Sequence, residues 1–262
     1  NETVGLPSAG VLAELRRTAK ARTSSPRRLA IFADPVFEAN DSRLISAKEV
    51  SKEKYAAVGR DLRDLNRGAE LQRLIASRTE AREIAGLFPA SHVKTHLDFD
   101  ASVDAATDER LRDYNIIHFA THGLLDTQRP ESSSLVFSLF DKNGKRRDGF
   151  MRLRDVYDLE LSSDLVVLSA CQTALGKDVR GEGLIGLTRG FMFAGAPRVV
   201  ASLWKVDDAA TAEFMKRFYR GMIKEGLTPA TALKKAQNEL KATPRFRYPY
   251  YWAGFTLQGD WH

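Results

Sequence analysis

One cysteine, Cys171, occurs in 262 residues. No intrachain disulfide can form, and a metal site built on several thiolates is excluded. A reducing, cytoplasmic setting fits that scarcity. No apolar run approaches the ~18 residues that a membrane helix requires. The richest stretch, residues 191–204, is interrupted by Gly195, Pro197 and Arg198. No charged-then-apolar leader follows Asn1, so no signal peptide is expected, and a first residue other than Met suggests a piece of a longer protein. Internal repeats and low-complexity tracts are also lacking. Excess charge is small where it matters: of the formal +6, residues 1–28 supply six cations against two acids, leaving +2 over the remainder. The arginines between 60 and 82 are interleaved with Asp61, Asp64, Glu70 and Glu80, the pattern of a solvated helix face rather than of a phosphate-binding surface. Neither nucleic acid nor membrane is expected as a direct partner.

What is present is an ordinary globular chain, 43% hydrophobic and 28% charged, long enough for one large domain or two small ones. Residues 1–27 read as a helix with Val11, Leu12 and Leu15 on one side, then a Thr-Ser-Ser-Pro break, a segment that could end an upstream domain. Residues 28–262 read as the main body. Short apolar runs at 29–32, 115–120, 165–170 and 199–203 fit buried strands, and 92–97, 135–140 and 255–257 fit further ones. Helical periodicity marks 71–88, 105–111, 154–159, 183–194, 209–223 and 229–242. The polar stretch 38–67 reads as an insertion. Strands alternating with helices predict an α/β fold, a mostly parallel sheet covered by helices on both faces. Sites in such sheets lie at the carboxyl ends of the strands.

Two strand ends carry reactive side chains: residues 116–123 end in Thr121-His122-Gly123, and residues 166–173 end in Ala170-Cys171-Gln172-Thr173. If both strands run parallel in one sheet, His122 and Cys171 emerge at one edge. An imidazole beside a thiol lowers the thiol's pKa from its usual ~8.5 and can protonate a leaving amine, which suits amide hydrolysis. Backbone amides at Gly123 and Cys171 are the candidate oxyanion donors. The plainer reading makes Cys171 a buried structural thiol and His122 a turn residue. His118 lies inside its strand and reads as structural, while His92, His96 and His262 have no arguable partner. Residues 181–186 satisfy a Gly-x-Gly-x-x-Gly pattern, but the strand before them ends too early for dinucleotide binding. No cofactor and no metal are expected.

Ser169-Ala170-Cys171-Gln172, 49 residues beyond His122, resembles the caspase signature, in which the histidine lies ~50 residues upstream of Gln-Ala-Cys. The resemblance is closer to the CHAT domain, a caspase-like module of clan CD often fused to tetratricopeptide repeats. It is carried by residues 118–123 (His-Phe-Ala-Thr-His-Gly), residues 165–173, the span from Gly181-Glu182-Gly183 to Gly195-Ala196, and residues 200–208 (Val-Ala-Ser-Leu-Trp-Lys-Val-Asp-Asp). Phe218-Tyr219, Ala232-Leu233, Gln237 and the closing Trp252-Ala253-Gly254-Phe255 add to it. The likeness implies a caspase-like three-layer sandwich and a Cys-His endopeptidase, with Cys171 as nucleophile and His122 as general acid and base. Separases, also of clan CD, have a similar Leu-Trp-x-Val-x-Asp segment whose aspartate receives a basic side chain. By that likeness Asp208, with Asp34 added from the end of the first strand, would form an acidic pocket for Arg or Lys at the cleavage site. For both acids, and for Asp207, strand-end or helix-cap duty is the plainer reading. Residues 172–184 read as a loop beside the nucleophile that cleavage after Lys177 or Arg180 would regulate. The family likeness further implies a protein substrate, an upstream repeat domain or activating partner, and a setting in bacterial defence or cell death. A catalytically silent binding or scaffold module, and a small-molecule acyltransferase or amidase using the same pair, are the competing functions.

Overall fold

The computed structural model of the chain describes residues 4–5, 8–20, 27–44, 71–126, 130–169, 172–175, 182–204 and 206–261. Its strands, in chain order, are β1 (Val4–Gly5), β2 (Leu29–Pro35), β3 (Val93–Asp98), β4 (Ile116–Ala120), β5 (His122–Asp126), β6 (Ser134–Val136), β7 (Phe150–Arg152), β8 (Leu165–Leu168), β9 (Gln172–Leu175), β10 (Arg198–Ser202) and β11 (Phe255–Gly259). The helices are α1 (Ala9–Lys20), α2 (Ile75–Ala85), α3 (Val103–Ala106), α4 (Leu153–Tyr157), α5 (Glu182–Phe193), α6 (Asp208–Lys224) and α7 (Pro229–Ala242).

Seven strands form the main sheet in the order β1-β11-β10-β8-β4-β2-β3. All neighbours are parallel except β10 and β11. The three strands at its middle, β2, β4 and β8, are buried along their entire length, which is why they read as near-continuous apolar runs instead of alternating ones. Successive side chains still point to opposite faces. Leu29, Ile31 and Ala33 pack with α2, α6 and α7 on one side, whereas Ala30 and Phe32 pack with residues of α1, α4 and α5 on the other. This is the three-layer α/β arrangement expected from the alternation of elements.

Helix α6 shows the local logic. Asp207 caps it by accepting the backbone N–H of Ala210 at 3.0 Å. Ala210, Phe214, Phe218 and Met222 then recur at intervals of four, and Thr211, Met215 and Tyr219 widen the buried stripe. The expected helix at 105–111 is instead two short turns, α3 and a 3₁₀ turn at Glu109–Asp113, because Ser102 and Asp108 each cap a separate start.

A second, smaller sheet, β7-β6-β5-β9, stands at the carboxyl end of the first. It begins one residue after β4: Thr121 is buried and its hydroxyl donates to the Val136 carbonyl, turning the chain from one sheet into the other. The sequence reading treated 172–175 as loop, yet it is β9, pairing parallel to β5. A four-residue run has too little periodicity of its own to announce a strand; its pairing partner supplies it. Positions 176–181, and with them the expected regulatory cleavage sites Lys177 and Arg180, lie outside the described residues.

Near the amino terminus, β1 pairs with β11, Leu15 joins the second core cluster, and Arg16 reaches Asp260 at 3.0 Å. The described part of residues 1–27 therefore shares sheet and core with the body that follows. Among the described residues no helix is long and apolar enough to cross a membrane.

Candidate active site

His122 opens β5 and is 4% exposed. Its Nε2 lies 2.7 Å from the backbone carbonyl of Gln72, and its ring packs against Phe37 at 4.9 Å. A carbonyl oxygen only accepts, so Nε2 carries the hydrogen and donates it. The neutral ring then has its lone pair on Nδ1. The contact thus selects a tautomer as well as an orientation. The partner across the ladder is equally defined: Gly123 is in register with Gln172 of β9, while Ser169, the residue after β8, donates its N–H to the Phe119 carbonyl at 3.1 Å. Cys171, the candidate nucleophile and oxyanion donor, lies outside the described residues. Of the residues on either side of it in sequence, Ser169 follows β8, the neighbour of β4, and Gln172 opens β9, the neighbour of β5, which carries His122 and Gly123.

Asp34 has a different place from the one expected of it. It ends β2 with a positive φ of 48°, a conformation that aspartate tolerates better than most side chains. The residue is fully buried. Arg73 holds its carboxylate with two bonds of 2.8 Å, Arg78 approaches at 2.6 Å and Arg43 at 3.2 Å. Asp98, ending β3 at φ 53°, and Asp41 complete the cluster through Arg43 and Arg78. Among the described residues three acids balance three arginines in this cluster, so Asp34 offers no surplus negative charge there to a basic substrate. Its task is to anchor Arg73, the residue next to the carbonyl that orients His122.

Burial pushes the carboxyls of Asp41 and Asp98 up, but arginine hydrogen bonds, from Arg43 to both and from Arg78 to Asp98, outweigh it and hold both below the ordinary carboxylate range. A lowered folded-state pKa contributes stability above the unfolded value of ~3.9 and loses it as pH falls through the folded value. Acid titration of unfolding should therefore show a loss of stability beginning near pH 4 that is smaller when both acids are replaced by asparagine. A profile identical to that of the unaltered chain would remove these carboxyls from the acid transition.

A second cluster lies behind the strand ends. His118 is fully buried, with Nε2 2.7 Å from Glu80 Oε1 and 3.3 Å from Ser169 Oγ, and Nδ1 3.0 Å from the Tyr219 hydroxyl. Burial, followed by the nearby Glu80 charge, pushes the Tyr219 phenol well above its ordinary range, so it stays neutral. Both the carboxylate and the hydroxyl approach the same ring nitrogen, which is not the relay of a serine nucleophile. His118 has the structural place expected of it, cross-linking α2, β4 and α6.

Glu80 also lines a small polar cavity of about 10 Å³, room for roughly one water, together with Ser77, Ser169, Asp208 and Thr211. Asp207 is spent as a helix cap, whereas Asp208 lines this cavity from the first turn of α6. Gln72, Arg73, Glu80 and Thr211 were missed from sequence. Their only signal was a helical stripe, and nothing in a stripe says which strand end it will face.

The CHAT domain family model matches residues 1–260. Tetratricopeptide repeat protein 28 of Mus musculus is 41% identical over 114 residues, which make up 44% of this chain and 5% of the mouse protein. The Homo sapiens protein of the same name is 42% identical over 106 residues, 40% of this chain and 4% of its own length. The chain thus spans about a twentieth of these relatives. Among solved structures, a chain in the crystal structure of the Saccharomyces cerevisiae separase–securin complex superposes with a TM-score of 0.50 at 12% identity, covering 98% of this chain and 14% of that one. At such identity the likeness is one of fold, and it is the caspase-like fold. A seven-stranded, mostly parallel sheet whose strand ends present His122, together with a family match over nearly the whole sequence, shows that this chain belongs to the CHAT domain family.

Proposed function

We propose that this CHAT domain is a cysteine endopeptidase that cuts a protein substrate after Arg or Lys. The observation that carries the reading is the placement of His122 beside the Gly123–Gln172 register, with Nε2–H donated to the Gln72 carbonyl, which makes Nδ1 the basic nitrogen of the neutral ring. In the proposed reaction, Nδ1 takes the proton of the Cys171 thiol and the sulfur attacks the scissile carbonyl carbon. The backbone N–H groups of Gly123 and Cys171 stabilise the oxyanion. Its collapse breaks the C–N bond, the imidazolium gives its proton to the leaving amine, and a thioester remains. Water, deprotonated by the same imidazole, hydrolyses the thioester and restores the thiol.

Asp208, in the first turn of α6, is the proposed acid for the basic side chain. By family likeness, the partners are a tetratricopeptide-type repeat domain or an activating protein, in a regulated, soluble setting such as defence or cell death. Cleavage-site profiling on a diverse peptide library tests the specificity. Basic residues should dominate at the cut position, and Asp208→Ala should flatten that preference; cutting with no basic preference would refute the pocket assignment.

The arm that orients the base gives a separate prediction. Arg73→Ala should lower kcat about tenfold with little change in KM, since a misaligned imidazole affects the chemical step more than binding. Arg73→Lys, which keeps one contact to Asp34, should recover part of the loss. An unchanged kcat would show that Gln72 holds His122 without help from Asp34.

A further inference from the structure

The chain's last connection, between α7 and β11, gathers cations and aromatic rings in one short segment. Residues 241–252 carry Lys241, Arg245 and Arg247 and no acid. Among the described residues none of the three has a carboxylate within salt-bridge distance, although many other cations of the chain do. Each lies over a ring instead: Lys241 over Trp252 at 5.9 Å, Arg245 over Phe246 at 5.1 Å and Arg247 over Tyr248 at 4.8 Å. Arg245 and Arg247 are exposed, and Tyr248 and Tyr250 are 58% and 50% exposed. The ridge is fixed to the edge that carries the candidate site. Trp204, two residues beyond β10, donates its indole N–H to the Tyr250 carbonyl at 3.0 Å, and Leu203 N–H bonds the Gly254 carbonyl at 2.8 Å. Strand β10 lies beside β8, so the ridge flanks the candidate site on the β8 side.

We propose that this ridge is a docking site for an acidic segment of the protein substrate, flanking the bond to be cut. Stacking on a ring holds a guanidinium flat and leaves its N–H edge pointing outward, the geometry that takes a carboxylate bidentately. Single-stranded nucleic acid is the less fitting occupant, because Trp252, Phe246 and Tyr248 each already have a cation over the ring, which leaves Tyr250 as the one exposed ring of the ridge without one among the described residues. Exposed cations with no carboxylate partner among the described residues, Arg247 donating to the Tyr248 hydroxyl at 2.8 Å, also lose no ion pair there when an acidic peptide binds. The proposal rests on the peptidase reading only for the source of the peptide.

The test is a binding measurement on the full chain, so it does not need turnover. A fluorescein-labelled decapeptide of Glu and Ala, lacking any basic residue, is compared with its Gln and Ala counterpart by anisotropy at low salt. The acidic peptide should bind, the neutral one at least about tenfold more weakly, and 0.3 M salt should weaken binding by screening. Arg245→Gln with Arg247→Gln should reduce affinity for the acidic peptide about tenfold. Lys224→Gln with Lys234→Gln, two exposed lysines elsewhere with the same change in net charge, should leave it unchanged. Equal binding of both peptides, equal loss in the two double variants, or tighter binding of a labelled deoxythymidine oligomer through the same arginines would each overturn the proposal. Intact docking in a chain that cuts nothing would leave the ridge standing and remove the peptidase reading instead.

Discussion

Alanine at position 171 is expected to abolish cleavage of basic-site peptides, a loss of at least about 1,000-fold in kcat/KM. Glutamine at position 122 should do nearly the same, and it is the more informative change. A glutamine side-chain amide can still donate to the Gln72 carbonyl that His122 reaches at 2.7 Å, so position and packing can survive while the exchangeable proton is lost. The two losses should not multiply in the double variant, because nucleophile and base act as one unit. Alkylation of Cys171 gives a readout free of any substrate. With the imidazole present, the rate against pH should rise well below the ~8.5 of an ordinary thiol, and His122→Gln should return it to that value. Residual turnover by the alanine variant, or an alkylation profile indifferent to His122, would leave the silent binding module as the better account.

The second large effect concerns Asp34. Its carboxylate is completely buried and is approached by Arg73, Arg78 and Arg43 at 2.8, 2.6 and 3.2 Å. Removing it takes the carboxylate from Arg73 and leaves Arg43 and Arg78, among the described residues, with only Asp41 and Asp98, and breaking a buried pair in this way costs about 3–5 kcal/mol. Arg73 is about a third exposed, so water recovers part of the loss and the lower end applies. For a chain of this length that corresponds to a fall of roughly 10 °C in Tm. Asp34→Ala should therefore act mainly on thermal unfolding, with preference for basic substrates unchanged. A variant with wild-type Tm and altered substrate preference would return Asp34 to the acidic pocket that the sequence reading gave it.

That reversal shows where sequence reasoning reached and where it stopped. Asp34 and Asp208 look alike in the sequence, each an acid at the end of an apolar run. The difference seen in the structure is that Arg43, Arg73 and Arg78, which come from outside the strand, surround Asp34, while Asp208 lies in the first turn of α6. Gln72 is a plainer case: it contributes a backbone carbonyl to His122, and a backbone atom leaves no trace in residue type. Glu80 read as one more charge on a solvated helix face, yet it is 2% exposed and bonded to His118. A helical pattern gives the width of a buried stripe but not whether a charge at its margin has a partner across the layer. Most of the small sheet was missed for the same reason, since β5, β7 and β9 are three to five residues long and exist through their partners, whereas β6 falls on the strand expected at 135–140.

The sequence by itself determined the α/β class, the order of the main strands and helices, and the residue types available for chemistry. Those depend on hydrophobic periodicity and on caps such as Asp207, which act within a few residues of themselves. The tertiary structure alone decided the tautomer of His122, the neutral company of Asp34 and the pairing of β9 with β5. Each of these depends on groups distant in the chain meeting at a few ångströms, where hydrogen bonding and charge pairing are strong enough to choose between chemically similar side chains.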